Sequence, residues 1–299
     1  SAVGAAMSGA ATQISGRIGR IVAVHSCKGG VGKSTISLGL ARALLRQGLR
    51  VGLLDADFYG PSLPVLVPGL PTTEPELSKD GRQVHPLVDH EGLVCQSFAF
   101  VQRLWRRRIG DGSVTLQGPL IAELVAAMAN HTRWGSLDAL VVDMPPGTGE
   151  VPITLASAFP LDCAVVVSTP HRLAVLDTVK GIEMLHKLDV PIPAIVQNMA
   201  LFRCSDCGST HRPFGDCAAD EFHKRLPHAS LLELPIEHDG GLEGSLGEHF
   251  DELANLVMSP EAVPEVGHQG SGHSLPTETK QYSIPHWPTL MATAKLELR

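Results

Sequence analysis

The chain has 299 residues, 43% hydrophobic and 18% charged, an ordinary globular balance long enough for one large α/β domain or two small ones. A net charge of −7 argues against a dedicated nucleic-acid binder, and no run approaches the ~18 uninterrupted apolar residues of a membrane-spanning helix. Six cysteines (Cys27, Cys95, Cys163, Cys204, Cys207 and Cys217) are too sparse for a disulfide scaffold and suit a reducing compartment.

Residues 1–17 read as a flexible segment. Up to Arg20 the chain carries Ala, Ser, Gly and arginine with no acidic side chain, a composition shared by organellar presequences and disordered linkers. "RIVAVHS" (20–26) is a β-branched run that enters a Gly-rich loop, and "TISLGLARALLRQG" (35–48) then has apolar residues at helical spacing, stopped by Gly48. "RVGLLDAD" (50–57) is a strand ending in carboxylates. Further short apolar runs are "LVCQSF" (93–98), "LDALVVDMPP" (137–146), "CAVVVST" (163–169), "PAIVQNM" (193–199) and "SLLELP" (230–235). Helical stretches separate several of them, notably "PLIAELVAAMANH" (119–131) and "LAVLDTVKGIEMLHKL" (173–188). Apolar strands alternating with amphipathic helices predict an α/β domain over 18–258, a doubly wound, mostly parallel sheet of about seven or eight strands. Ligands of such sheets sit beyond the carboxyl ends of the strands, so Asp55, Asp57, Asp143 and Asn198 are expected at one edge. Residues 259–299 are rich in Pro, His, Ser and Thr and read as an extended or disordered tail, with a short amphipathic turn near "LMATAKLEL".

"SCKGGVGKST" (26–35) follows a strand and opens a helix, the setting of a P-loop. Gly29, Gly30 and Gly32 let backbone N–H groups, that of Val31 included, turn inward around phosphate oxygens. Lys33 brings positive charge to the β- and γ-phosphates of ATP, Ser34 offers a hydroxyl to Mg²⁺, and Thr35 completes the loop at the positive end of a helix. Cys27 stands where a glycine usually opens this motif and reads as a small filler. Lys28 is an additional cation, too early in the loop to duplicate Lys33 and better placed to reach phosphates on a neighbouring subunit.

"KGGVGKST", "DADFYGPSLP" (55–64), "DMPPGTGE" (143–150) and "NMALFRCSDCG" (198–208) occur in this order and spacing. Together they resemble the deviant-Walker P-loop ATPases of the Mrp/ApbC type, which carry iron–sulfur clusters, and more distantly the septum-site and arsenical-pump ATPases that share the extra lysine. The resemblance implies that Asp57 orients the attacking water, that Asp143 supports the Mg²⁺ shell, that "PPGTGE" senses the γ-phosphate, and that Asn198 hydrogen-bonds the adenine. On physical grounds alone, carboxylates at strand ends beside a P-loop are well placed for metal chemistry, which puts Asp57 and Asp143 with Ser34 in the expected Mg²⁺ environment. Asp55 fits loop-holding as well as chemistry. Glu150 is longer than the Asp of the resembled motif.

Cys204 and Cys207 form the chain's only CxxC. Their place after a late strand does not suit a thioredoxin-like redox pair. Cys204, Cys207, His211 and Cys217 have the spacing of a compact zinc knuckle. Alternatively, two copies of the chain, each bringing two thiolates, supply the four ligands that iron–sulfur clusters commonly take. The resemblance favours the second arrangement, a [4Fe–4S] cluster bridging a homodimer and passed to apo iron–sulfur proteins, with His211 and Cys217 as neighbours rather than ligands. Asp206 between the thiols is expected to make their thiolates slightly harder to form. The basic stretch "RLWRRRIG" (103–110) reads as a solvated loop in an acidic chain. The expectation is therefore an ATP-binding, slowly hydrolysing cluster carrier with no nucleic-acid partner and no stable membrane insertion. It leans to the mitochondrial type that serves respiratory complex I, with a cytoplasmic location as the alternative. A partitioning ATPase and an ATP-dependent zinc protein are the rival functions.

Overall fold

The computed structural model describes residues 17–67, 69–70, 75–80, 82–100, 118–204, 206–216, 218–236 and 246–260. In chain order the elements are β1 (Arg17–Ser26), α1 (Lys33–Arg46), β2 (Val51–Asp55), α2 (Leu63–Leu66), β3 (Leu87–Val88), β4 (Val94–Ser97), α3 (Gly118–His131) and β5 (Ser136–Asp143). They continue as α4 (Glu150–Ala158), β6 (Cys163–Ser168), α5 (Arg172–Lys187), β7 (Ala194–Arg203), β8 (Thr210–His211), α6 (Ala219–His223), β9 (Ser230–Pro235) and α7 (Gly247–Met258). Arg17, assigned from sequence to the N-terminal segment, is already the first residue of β1, opposite Ser136. The "RLWRRRIG" stretch and the turn near "LMATAKLEL" lie outside the described residues.

The strands join in the order β3-β4-β2-β5-β1-β6-β7-β8, with β9 also on β7. All pairings are parallel except β3 with β4 and the β7–β8 hairpin. Alternate residues of the central strands enter two cores, which is why their sequences are apolar throughout. Val22 and Val24 pack with Ile36, Leu40 and Leu44 of α1 and Phe250, Leu253 and Val257 of α7. Ile21 and Ala23 pack on the other side with Leu124 and Met128 of α3, Leu155 of α4, and Ile182 and Leu185 of α5. The sheet is thus covered on both faces, the doubly wound arrangement expected from sequence.

β1 lies between β5 and β6, and the chain leaves it to build outward first on one side and later on the other. A crevice opens beyond the carboxyl ends of the strands at such a reversal. Ser26 ends β1 at this point, so the glycine-rich loop starts in the crevice. Among the described residues, no helix is long and apolar enough to cross a membrane.

Candidate functional site

The loop after β1 is shaped by its own backbone. Ser26 Oγ donates to the Lys28 carbonyl at 3.0 Å. Gly30 and Gly32 take φ of 79° and 89°, the left-handed region open to glycine at little cost. Gly32 caps α1, and a Cβ there would collide with Nδ2 of Asn198, which donates to the Val31 carbonyl at 3.0 Å. Among the described residues, no protein acceptor takes the backbone N–H groups of residues 28–35, and an added Cβ at Gly29 or Gly30 would meet no atom within 4 Å. An open cradle of unshared N–H donors at the start of a helix is the physical form of a phosphate site, and a nucleotide's phosphates fit it.

The strand ends beside this loop bring together the residues singled out from sequence. Lys33 Nζ lies 2.6 Å from Asp143 Oδ1, 4.0 Å from Asp57 Oδ2 and 3.4 Å from Ser34 Oγ. Ser37, unnoticed in the sequence, donates its hydroxyl to the same Asp143 oxygen at 3.0 Å. Asp55 faces Asp143 across the β2–β5 pairing but is occupied by four donors: the N–H groups of Asp57, Ser62 and Leu63, and the Ser97 hydroxyl. The geometry makes Asp55 the residue that holds the Asp57 loop. Burial, and then the charge of Asp143, push its carboxyl up to about 6. Thr35 lies in the first turn of α1. The "PPGTGE" segment is strapped to β1 by Met144 N–H to the Val24 carbonyl and Gly147 N–H to the Ser26 carbonyl. Glu150, exposed, opens α4, where a carboxylate suits the positive helix end.

Lys28 goes elsewhere. Its ammonium is 3.3 Å from Asp177 on α5, and Asp177 also holds Lys180 at 2.9 Å. Beneath the loop, Cys27 rests against Gly181 of α5, where any Cβ would collide with its sulfur. Burial raises the Cys27 thiol to about 11, so it stays neutral and fills space, as its position suggested. His25, fully buried, is lowered to about 4 by burial and by Lys33, and remains uncharged.

The thiol pair sits at the far end of the strand that carries Asn198. β7 runs to Arg203, and Cys204 begins the turn: its N–H donates to the Ser209 carbonyl, and Gly208 N–H returns to the Cys204 carbonyl, both at 2.9 Å. Gly208 takes a positive φ of 70° to close it. Cys207 Sγ and Ser209 Oγ share a hydrogen bond at 3.2 Å, and Cys207 is exposed. The expectation that Asp206 disfavours the thiolate does not hold at Cys207. Hydrogen bonds from the Ser209 hydroxyl and N–H, then from Cys204, hold it below the usual thiol value. His211 is exposed in β8, opposite Phe202. Among the described residues, no group of three or more His, Cys, Asp or Glu side chains forms a metal site, and Cys217 lies outside them.

Comparison with known proteins agrees with this geometry. Residues 17–262 match the family described as NUBPL iron-transfer P-loop NTPases, within the ParA group. An iron–sulfur cluster carrier protein of Haemophilus influenzae is 42% identical over 216 residues, covering 72% of this chain and 56% of that protein. The iron–sulfur cluster transfer protein NUBPL of Dictyostelium discoideum is 37% identical, with 73% and 65% covered. The chain thus spans little more than half the length of the first of these. A nucleotide-binding protein of Archaeoglobus fulgidus, solved with ADP, is 32% identical with a TM-score of 0.62 over 83% of this chain and 92% of that one. The cell-division ATPase MinD of Pyrococcus furiosus, 18% identical with a TM-score of 0.54 over 80% of this chain and 98% of its own, shares the fold. With its phosphate loop, carboxylates and CxxC all inside the matched residues 17–262, the chain belongs to the NUBPL iron-transfer P-loop NTPases.

Proposed function

We propose that the chain binds ATP in the loop after β1, hydrolyses it slowly, and carries a [4Fe–4S] cluster on Cys204 and Cys207 for delivery to apo iron–sulfur proteins. The observation that carries this reading is the continuity of β7, which has Asn198 on the phosphate loop at one point and opens into the Cys204–Cys207 turn at its end.

In this proposal the N–H groups of Gly29, Gly30, Val31 and Gly32 bind phosphate oxygens, joined by those of Lys33, Ser34 and Thr35 at the start of α1. Lys33 leaves Asp143 to meet the β- and γ-phosphates, Ser34 offers its hydroxyl to Mg²⁺, and Asp143 supports that ion's surroundings. Bound Mg²⁺ would neutralise charge on the phosphates. Asp57, held by Asp55, orients the attacking water, and Asn198 contacts the adenine. Lys28 crosses to the nucleotide of a second copy once released from Asp177. Two thiols per chain complete a four-thiolate set only when two chains meet, so the cargo is shared across a homodimer. Exposed Tyr59 and Val65 near Asp57, and Leu173 and Leu176 near Asp177, give that second copy apolar surface to cover. Residence in mitochondria belongs to the same proposal and rests on the likeness to the NUBPL type.

Anaerobic reconstitution with iron and sulfide tests it. The wild type is expected to be a dimer with about four irons and four sulfides per pair of chains, and Cys204→Ala/Cys207→Ala to hold none. A monomer that takes up zinc and no sulfide overturns the proposal, as does undiminished cluster in the double variant. Nucleotide-dependent sedimentation with liposomes or DNA in place of cluster binding would point to the partitioning-type function.

A further inference from the structure

β7 is not a regular strand. Between the residues paired with Glu233 and Pro235 of β9, β7 advances four residues, from Gln197 to Leu201, whereas β9 advances two. The surplus is taken up by a bulge at residues 198–200, and Met199 within it takes φ of 58°. A long side chain rarely adopts that left-handed conformation, and nothing in the local sequence demands it. Bulges with unfavourable backbone conformations persist where their surroundings enforce them and are concentrated beside functional sites.

The surroundings here are specific. At the first residue of the bulge, Asn198 is tied to the Val31 carbonyl of the phosphate loop. Beyond the bulge, pairing resumes at once: Ile236 N–H donates to the Leu201 carbonyl at 2.7 Å, and Phe202 and Arg203 pair with His211 and Thr210 of the thiol hairpin. The hairpin's return and exit are anchored just before the bulge. Arg212 makes a double ion pair with Glu233, at 2.7 and 2.9 Å, and Ala218 N–H donates to Oε1 of the buried Gln197 at 3.3 Å. Gln197 and Glu233 are opposite one another in the sheet. The thiol turn is therefore held to the sheet at one register position, while its leading strand passes through the bulge on the way from the phosphate loop.

We propose that Met199 is a positioning residue: its left-handed bulge transmits occupancy of the phosphate loop to the geometry of Cys204 and Cys207. A change that moves Val31 or draws the Asn198 amide away from it pulls on one end of the bulge, and the anchored hairpin resists at the other. A segment held in one unusual conformation passes such a displacement along. A segment free to adopt many conformations absorbs it. This inference rests on the function proposed above, since it needs both nucleotide and thiols to be working parts.

The test follows alkylation of Cys204 and Cys207 in the cluster-free, reduced 299-residue chain, read peptide by peptide by mass spectrometry, with nucleotide affinity measured by calorimetry on the same samples. Mg-ATP or Mg-ADP is expected to change the alkylation rate of the wild type by about fivefold or more, within the ordinary range of coupling between sites. Met199→Gly, which opens the backbone to many conformations, is expected to bring that ratio close to one while still binding nucleotide. Met199→Asn, a residue that tolerates the left-handed region, is expected to keep it. Met199→Val disfavours the bulge itself and is expected to shift the rate even without nucleotide. A wild type that binds nucleotide without any change in thiol reactivity overturns the coupling, and so does a glycine variant whose ratio equals the wild type's. A wild type that binds no nucleotide, or cannot be loaded with cluster, instead overturns the proposed function.

Discussion

Lys33 Nζ and Asp143 Oδ1 are 2.6 Å apart, and both side chains are more than nine-tenths buried. With Asp57 4.0 Å away on the other side, one ammonium balances two carboxylates. Removing one member of such a buried pair leaves an uncompensated charge, commonly at a cost of about 3–5 kcal/mol. Lys33→Met keeps the aliphatic stem and removes the charge. It is expected to lower unfolding free energy in urea by about 3 kcal/mol and to abolish nucleotide binding by calorimetry. Adding Asp143→Asn is expected to restore part of the stability and none of the binding. Equal stability of Lys33→Met and wild type would contradict the balance described.

Asp55 and His25 act oppositely on acid stability. The Asp55 carboxyl is raised to about 6 by burial and by Asp143, so the folded state binds its proton more tightly than the unfolded chain. Its contribution is full below its unfolded value near 4 and is lost as pH rises through about 6. His25, lowered to about 4, resists protonation when folded, so its contribution is present above its unfolded value of 6.5 and is lost as pH falls towards 4. Between pH 4 and 6 the two slopes nearly cancel. In Asp55→Asn only the histidine slope remains, and stability is expected to climb with pH across this window by about 3 kcal/mol more than in the wild type. Urea titrations at pH 4, 5 and 6 measure it, and parallel slopes in the two proteins would refute it.

The phosphate loop was legible because its chemistry is local: glycines, Lys33 and Ser34 act within a few residues of one another and stand in a recognisable strand–loop–helix setting. The carboxylates at the ends of β2 and β5 were legible because apolar runs that end in Asp place them at one sheet edge. What escaped was set by long-range approach. Ser97 lies 42 residues from the Asp55 it bonds, and Ser37 lies 106 residues from Asp143; neither serine differs locally from any other. The helix α7 has its apolar stripe in Phe250, Leu253, Ala254 and Val257, yet no capping side chain marks its start, and it was not picked out. Asp206 was a poor guide to Cys207 because a nearby charge shows in sequence, whereas the Ser209 hydrogen bonds that lower this thiol depend on how the turn closes. The left-handed Met199 has no sequence signature at all.

Lys28 is held by Asp177 in a pair that is about one-third exposed at each end, and such surface pairs are screened by solvent. Asp177→Asn is therefore expected to leave the melting temperature nearly unchanged. If Lys28 serves a second copy of the chain, breaking this tie should strengthen nucleotide-dependent dimerisation, by at most about fivefold, because a weak contact can shift an equilibrium only by its own worth. Lys28→Ala should weaken the same dimer. Sedimentation velocity with a non-hydrolysable ATP analogue reads both. A dimer affinity indifferent to both substitutions would place Lys28 outside the interface.

The contact between Cys27 and Gly181 gives a substitution whose sign depends on its partner. In the wild-type chain a Cβ at residue 181 meets the Cys27 sulfur. Gly181→Ala must therefore push α5 off the loop, at the ~1–3 kcal/mol typical of an overpacked interior. Taken alone, the same change favours the helix by roughly 1 kcal/mol, because alanine loses less backbone freedom than glycine. Cys27→Gly removes the sulfur and gives the loop the glycine that usually opens this motif. In that background Gly181→Ala is expected to stabilise rather than destabilise, leaving a coupling energy of about 2 kcal/mol or more between the two sites. Nucleotide affinity should follow the same pattern, falling in Gly181→Ala and recovering in the double variant, since α5 bears on the loop through this sulfur as well as through the Lys28–Asp177 pair. Four unfolding curves and four calorimetric titrations complete the cycle. Additive effects would mean that α5 and the loop do not press on each other at this point.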